Sequence, residues 1–444
     1  MIKTFIGFDL GNSDSIIDCV TLSTASLKSG LGVIFRAMMM PGTHEPGRPI
    51  PTEYAYTSDN RLILGNAILH FPGPLDSIQR NFLHRPTDLI SEMGTEKEAD
   101  LLECFSASKM WPNRADCNTQ EFWNYRNAVI TFTNAIFEDS TIKEAIQNES
   151  VESDEIVIYV GYPVGWSELD TTIYKRILEY SVIGAGNYAG HKATLNLALD
   201  TKAAYHYYTK CTAECTSGQN LGTMLIDIGG VCVKSEAFNS CRRQYLGTNK
   251  YLGGDSIDLL LLDLYLEKLA QYPEYFESYQ QFAQKSPFVN DVARLAAKRT
   301  KEDLYSGLYS FTFTDVSLAI MCLGQLRPIR IMADELEQLI QQKPLAEVLQ
   351  KYVHLPEAEL QKIGTKSWEK LFEEYLQQIA DACTIRVDNI FITGGLSRMP
   401  AVSRIIKKVF NNLPTTSFKR SMDSAQVSMG LALLAVDEER WSYK

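Results

Sequence analysis

The chain has 444 residues, of which 45% are hydrophobic and 22% charged, and a formal net charge of −11. That is a globular composition in a chain too long for one ordinary core, so two or more lobes are expected. The acidic balance argues against nucleic acid or an anionic membrane as the main partner, since both reward a basic patch. In chain order, periodicity predicts strands over 2–10 and about 15–22. A Gly- and Pro-rich loop over 40–49 leads to a short strand near 53–57 and a helix around 66. Residues 85–122 read as a polar insertion, irregular or helical. A helix over 124–138 precedes a buried strand over 155–162, a continuous β-branched run closed by Pro163. A helix over 171–180, a strand over 195–200 and a helix over 201–210 follow. Segments 223–228, 231–238 and 243–246 read as an antiparallel meander. Helices are expected over 256–270 and 289–303, then a hairpin of 310–313 with 316–321, then helices over 333–341, 367–382, 396–410 and 424–436. Strand–turn–strand followed by strand–helix recurs in both halves, so the expected class is an α/β protein with two similar lobes.

Nine cysteines (Cys19, Cys104, Cys117, Cys211, Cys215, Cys232, Cys241, Cys322 and Cys383) lack paired or metal-type spacing, and the six histidines are dispersed. Reduced thiols and no histidine-based zinc site are expected. The sequence opens directly on a strand pattern without a basic leader, and its apolar runs are broken by Asp and Glu. A cytoplasmic protein with no membrane span is therefore expected.

Three glycine-bearing segments carry the chemistry: Ile6-Gly7-Phe8-Asp9-Leu10-Gly11-Asn12-Ser13, Met224-Leu225-Ile226-Asp227-Ile228-Gly229-Gly230, and Asn389-Ile390-Phe391-Ile392-Thr393-Gly394-Gly395. In the first two, an apolar strand delivers one Asp and then glycine. A tight turn of that kind aims backbone N–H groups at a phosphate while the carboxylate reaches a hydrated metal. The plainer reading is an Asp that caps its own turn. Two such hairpins suggest two lobes closing on one nucleotide.

With these motifs in this order, the chain resembles, over nearly its whole length, the nucleotide-binding portion of the seventy-kilodalton heat-shock chaperones. That family belongs to the actin, sugar-kinase and chaperone ATPase superfamily. Gly7 to Ser13 is similar to the family's first phosphate hairpin. Pro49 to Tyr54 with Arg61 to Gly65 resembles the start of its first peripheral subdomain, and Tyr159 to Pro163 its relay strand and hinge proline. Leu199-Asp200-Thr201-Lys202-Ala203-Ala204 resembles the acidic segment before an Ala-rich helix, and Asp227 to Gly230 the second hairpin. Leu252-Gly253-Gly254-Asp255-Ser256-Ile257-Asp258 resembles the entrance to the second peripheral subdomain. Ala297-Lys298-Arg299-Thr300 is similar to the helix over purine and ribose, and Gly394-Gly395-Leu396-Ser397-Arg398-Met399-Pro400 to the adenosine motif. Asp423-Ser424-Ala425 with Gly430-Leu431-Ala432 resembles the closing segment.

The resemblance implies a two-lobed actin-like ATPase fold of duplicated ribonuclease H-like lobes around a central nucleotide cleft. Lobe I would span 1–204 (core 1–40 and 120–204, peripheral subdomain 41–119). Lobe II would span 205–444 (core 205–253 and 335–444, peripheral subdomain 254–334). It implies ATP or ADP with Mg²⁺ as ligands, slow hydrolysis, and lobe closure sensed by a protein partner or co-chaperone. Asp9, Asp200 and Asp227 would be the catalytic and metal-side carboxylates. Gly11, Asn12, Ser13, Gly229, Gly230, Gly254, Lys298, Arg299, Gly394, Gly395, Arg398 and Asp423 would line the nucleotide. For several of these a plainer reading stays open: Asp200 as a helix N-cap before Thr201, Arg398 as one half of a surface ion pair, and Lys298 and Arg299 as a solvated helix face.

The sequence departs from the family at four places. Gln79 aligns where the family has a lysine for the γ-phosphate, position 200 is Asp instead of Glu, Val231 and Cys232 replace a Gly and a Thr, and Leu295 replaces an acid. Binding residues are thus better matched than hydrolytic ones, which keeps a pseudo-ATPase scaffold open. A filament-forming actin-like or plasmid-segregation ATPase and a sugar or acetate kinase would share the fold. The family's peptide-binding β-sandwich has no counterpart in this sequence, so a self-sufficient peptide-holding chaperone is not expected.

Overall fold

The computed structural model describes residues 1–29, 33–41, 43, 46–71, 75–90, 95–107, 111–112, 117–211, 222–239, 242–285, 288–305, 313–314, 329, 331–411, 413–417 and 425–441. It is a mixed α/β protein whose chain gathers into two compact units. The first contains Met1–Tyr54, Gln79–Ser217 and Ser424–Lys444; the second contains Ala55–Ile78 and Gly218–Asp423. Chain order alone would leave 424–444 with the second lobe, but the contacts of the last helix join it to the first unit.

The first unit is built on β1 (Ile2–Leu10), β2 (Asp14–Ser23), β3 (Arg36–Ala37), β4 (Glu155–Tyr162) and β5 (His191–Leu199), in the order β3-β2-β1-β4-β5. Strand β2 runs antiparallel to β1 and β3, whereas β1, β4 and β5 are parallel to one another. The short strands Ile50–Pro51 and Asn187–Tyr188 extend the sheet at β2 and β5. The inner residues of β4 are buried on both faces, which is what a parallel strand covered by helices requires and why its sequence reads as an unbroken apolar run.

The second unit is built on β6 (Thr223–Ile228), β7 (Val233–Phe238), β8 (Arg243–Asn249), β9 (Asn389–Thr393) and β10 (Thr415–Ser417), in the order β8-β7-β6-β9-β10. Here too the first three strands pair antiparallel and the last two are parallel to β6. Each strand of this sheet therefore has a counterpart in the first, in order and direction. Beside it, helix Gly254–Leu269 is buried on nearly every side against helices Phe288–Tyr305, Leu345–Tyr352 and Ala333–Gln342. A three-stranded sheet orders Leu62–Leu64, Tyr54–Thr57 and Leu75–Gln79, and the short helix Ala67–His70 packs against Phe288–Tyr305.

The meander over 223–246 is present, with Val231 and Cys232 in its first turn instead of a strand. The single helix expected over 396–410 is broken. A 3₁₀ turn, Gly395–Arg398, is followed by helix Pro400–Val409, because a residue before proline is driven out of the helical region and Met399 is extended. Residues 85–122 contain a 3₁₀ turn, Pro86–Leu89, and helix Thr95–Ala107. Helices Ser140–Glu149, Pro273–Lys285, Leu345–Tyr352 and Glu357–Ile363 were not expected. The hairpin expected over 310–321 lies almost wholly outside the described residues; Phe313–Thr314 pairs with Ile331–Met332.

The closing helix, Gln426–Trp441, lies against β1, β4 and helix Asp200–Cys211. Its acidic end is engaged from three elements. Asp437 Oδ2 is 3.1 Å from His206 Nε2 and 2.8 Å from Lys210 Nζ, Tyr159 donates to Glu438, and Lys3 lies 3.0 Å from Glu439. Burial works to raise the Asp437 carboxyl, but hydrogen bonds and charge from His206 and Lys210 prevail and hold it well below the usual carboxylate range. A depressed folded-state value stabilises above the unfolded value and is lost as pH falls through the folded one. Asp437→Asn is expected to cost roughly 1.5–3 kcal/mol at pH 7. That gap should shrink as denaturation is repeated from pH 4 down to pH 2; a gap constant with pH would exclude this network as an acid-sensitive element.

Candidate glycine hairpins and their carboxylates

Both Asp-bearing hairpins fold the same way. In the first, Leu10 pairs with Ser15 and Gly11 N donates to Asp14 O at 3.1 Å, which leaves Asn12 and Ser13 at the tip. In the second, Ile228 pairs with Val233 and Gly229 N donates to Cys232 O at 3.0 Å, which leaves Gly230 and Val231 there. Asp9 and Asp227 hold equivalent places, each two residues before the turn glycine. Their cross-strand neighbours differ, Ile16 opposite Asp9 and Lys234 opposite Asp227.

The first tip is partly committed to structure. Asn12 Nδ2 donates to Leu83 O and its Oδ1 accepts from Leu83 N, both at 2.8 Å, so that amide braces the 80–85 segment. Ser13 is buried and its carbonyl accepts from Thr52 N at 2.8 Å. Tyr174, on the buried face of helix Glu168–Glu179, has its hydroxyl raised by burial and, secondarily, by the charge of Asp9. Periodicity alone marks Tyr174 as core, and no local pattern signals its nearness to Asp9. Asp200 is the first residue of helix Asp200–Cys211 and its Oδ1 accepts from Thr201 N, the next residue, at 2.6 Å.

In the second unit the structure brings several motifs together. A Cβ built on Gly394, whose φ is +87°, would lie 2.3 Å from Ile228 O and 2.9 Å from Asp227 Oδ1, so only glycine lets the third turn sit against the second carboxylate. Gly254 N donates to Gly229 O at 3.0 Å and Asp255 N to Gly230 O at 2.7 Å, which ties the N-terminus of helix Gly254–Leu269 to the hairpin. A Cβ on Gly253 would meet Val231 C at 2.2 Å. From helix Phe288–Tyr305, Lys301 Nζ pairs with Asp258 at 2.7 Å and donates to Gly254 O at 3.1 Å, and Arg294 lies 3.7 Å from Asp255. Burial pushes the Asp258 carboxyl up to about 7, against the lowering charge of Lys301. These buried contacts of Arg294, Asp258 and Lys301 were not singled out from sequence, because charges at helical spacing read as a solvated face.

Lys298 is 2% exposed, so its side chain lies inside the unit and not on a solvated face. Arg299 is half-buried and paired along its own helix, 3.8 Å from Glu302 and 3.3 Å from Asp303. Leu295 is a fully buried core residue. Gly395 is exposed, and a Cβ there would meet nothing within 4 Å among the described residues. Beside it Ser397 is buried, with no hydrogen-bond partner for its hydroxyl among the described residues, and Arg398 is half-buried. Gln79 ends strand Leu75–Gln79 and is exposed. Asp423 lies outside the described residues.

Among the described residues, no group of three or more His, Cys, Asp or Glu side chains is placed to hold a metal ion directly. A single carboxylate at the base of a glycine turn is chemically compatible with a hydrated Mg²⁺, which keeps several waters and takes only one or two carboxylates. Among the described residues no helix is long and apolar enough to cross a membrane. The fold and the hairpins define a mixed α/β protein with a repeated Asp–x–Gly turn. No protein-family model matches the chain, and no curated protein matches it.

Proposed function

We propose that the chain is a Mg²⁺-dependent adenine-nucleotide-binding ATPase module of the two-lobed actin-like type, whose motifs resemble those of the nucleotide-binding portion of the seventy-kilodalton heat-shock chaperones. The observation that carries this reading is the hairpin built twice, with the same register, at the head of two sheets of the same strand order. A duplicated unit of this kind is what the superfamily resemblance implies. Phosphoryl transfer asks mainly for positioning and charge neutralisation. In this reading the hairpin-tip N–H groups hold phosphate oxygens, Asp9 and Asp227 orient water, Gly395 admits the adenosine closely and Arg398 stacks on the base. Bound Mg²⁺ would neutralise phosphate charge, with its waters held by Asp9, Asp200 and Asp227. Output would pass to a protein partner through lobe closure.

A second reading, binding without turnover, is favoured by particular residues. Val231 stands at the second tip without a hydroxyl, Asn12 is tied to Leu83, and Gln79 carries no charge. Removing a charge that acts in the transition state costs about 10²–10³-fold or more in rate. Titration with ATP and ADP, with and without Mg²⁺, followed by single-turnover hydrolysis, separates the two. Mg-dependent binding with turnover that is lost in Asp9→Ala supports the ATPase. Binding without turnover supports the scaffold, and no binding removes both.

A further inference from the structure

Asp18 lies in β2, paired with Gly7 of β1 on one side and Ala37 of β3 on the other, and none of it is exposed. The closing helix covers it. Ser428 Oγ is in hydrogen-bond contact with Asp18 Oδ2 and lies 3.0 Å from Ala425 O. Ala425 O also accepts from Met429 N at 2.9 Å. Asp18 Oδ1 has no hydrogen-bond partner among the described residues, and no cation there pairs with the side chain. Around it β1 presents Gly7, β3 presents Ala37 and the helix presents Ser428. The titratable neighbour is Cys19, whose thiol burial pushes up; Arg36 and Glu149, which also act on Cys19, pair with each other at 2.7 Å.

As a carboxylate, Asp18 would hold a full buried charge on one hydrogen bond, with its second oxygen dry. As an acid, its O–H donates to Ser428 Oγ and the Ser428 O–H donates to Ala425 O, so each hydrogen has an acceptor. We propose that Asp18 holds its proton in the folded protein and that this proton fastens the closing helix onto β1 and β2, the strands that carry the first glycine hairpin. The direction of its titration agrees: burial pushes the carboxyl up to about 7, with the Ser428 hydrogen bond working the other way. When the helix lifts, Asp18 meets water and releases the proton. Opening is then favoured about tenfold per pH unit between the ordinary carboxylate range and about 7, and levels off above it.

The test is hydrogen exchange of amides 429–436 in the full chain from pH 5 to 8, corrected for the intrinsic pH dependence of exchange. The expected result is an extra loss of protection in the wild type, about tenfold per pH unit up to about 7, relative to the isosteric Asp18→Asn. His206 and Asp437 are unchanged between the two proteins, so the difference belongs to Asp18. Equal slopes would overturn the proposal. Carboxyl NMR supplies an arm that does not need Asp18→Asn to fold, with Asp258→Asn used only to set aside the other buried aspartate. An aspartate titrating near 7, beyond the one removed by Asp258→Asn, supports the proposal, and its absence overturns it. Neither arm involves a nucleotide, so both are independent of the function proposed above.

Discussion

Gly7→Ala is expected to dislodge the closing helix and to be among the most damaging single-methyl changes in the first unit. Propensity points the other way, since alanine is preferred to glycine inside a strand by up to about 1 kcal/mol. Sterics decide the sign. A Cβ at Gly7 would lie 1.8 Å from Ser428 O and 2.8 Å from Ala432 N, both of them helix backbone. Neither atom can turn aside as a side chain can, so the helix must translate away from β1. It would leave Asp18 uncovered and would strain the neighbouring contact where Gly430 meets Ala203 O. The expected loss exceeds about 4 kcal/mol, the range reserved for a named core lesion. Gly165→Ala is the control: its φ is +89° but a Cβ there meets nothing within 4 Å among the described residues, so it reports backbone strain alone. Strain of that kind costs on the order of 1 kcal/mol. Urea denaturation of the three proteins settles the matter, and equal midpoints for Gly7→Ala and Gly165→Ala would exclude the clash.

The parts of this fold that are legible in sequence are those set by neighbours along the chain. Asp9 and Gly11 sit at the end of an apolar alternation, as do Asp227 and Gly229, and both hairpins fold where that pattern places them. The break at Met399 is equally local, since Pro400 restricts the residue before it. What stays hidden depends on distant chain. Asp18 falls in the strand expected over about 15–22, and nothing local announces the helix 410 positions away that closes over it. Lys298, read with Arg299 as a solvated helix face, is buried once helix Gly254–Leu269 packs on its helix. Helix Pro273–Lys285 follows directly on Tyr272 and carries four aromatic residues, so its periodicity gave little contrast with the helix before it. Of the carboxylates, Asp227 acquires a structural neighbour in Gly394 that no local pattern announces, whereas the Thr201 contact of Asp200 follows from its place at a helix start.

The adjacent glycines of the third turn separate structure from ligand. Gly394→Ala should fail as a fold, because its φ of +87° disfavours alanine and its Cβ would press on Ile228 O and on the Asp227 carboxylate. Any loss of binding in that protein would therefore be uninformative about direct contact. Gly395 is the opposite case. Its φ is not in the left-handed region and a Cβ there has open space among the described residues, so Gly395→Ala is expected to leave the unfolding midpoint within about 0.5 kcal/mol of wild type. If an adenosine lies against that backbone, the added methyl takes space the ligand needs. Overpacking of this sort costs roughly 1–3 kcal/mol, which is about a 5- to 150-fold loss of ADP affinity. Calorimetric titration of both variants against ADP, beside their denaturation curves, reads the two effects separately. Unchanged affinity in a stable Gly395→Ala would remove the adenosine from this turn and leave the phosphate hairpins to stand alone. Weakened affinity at unchanged stability would place the ligand there, since no described residue lies within 4 Å of the added methyl.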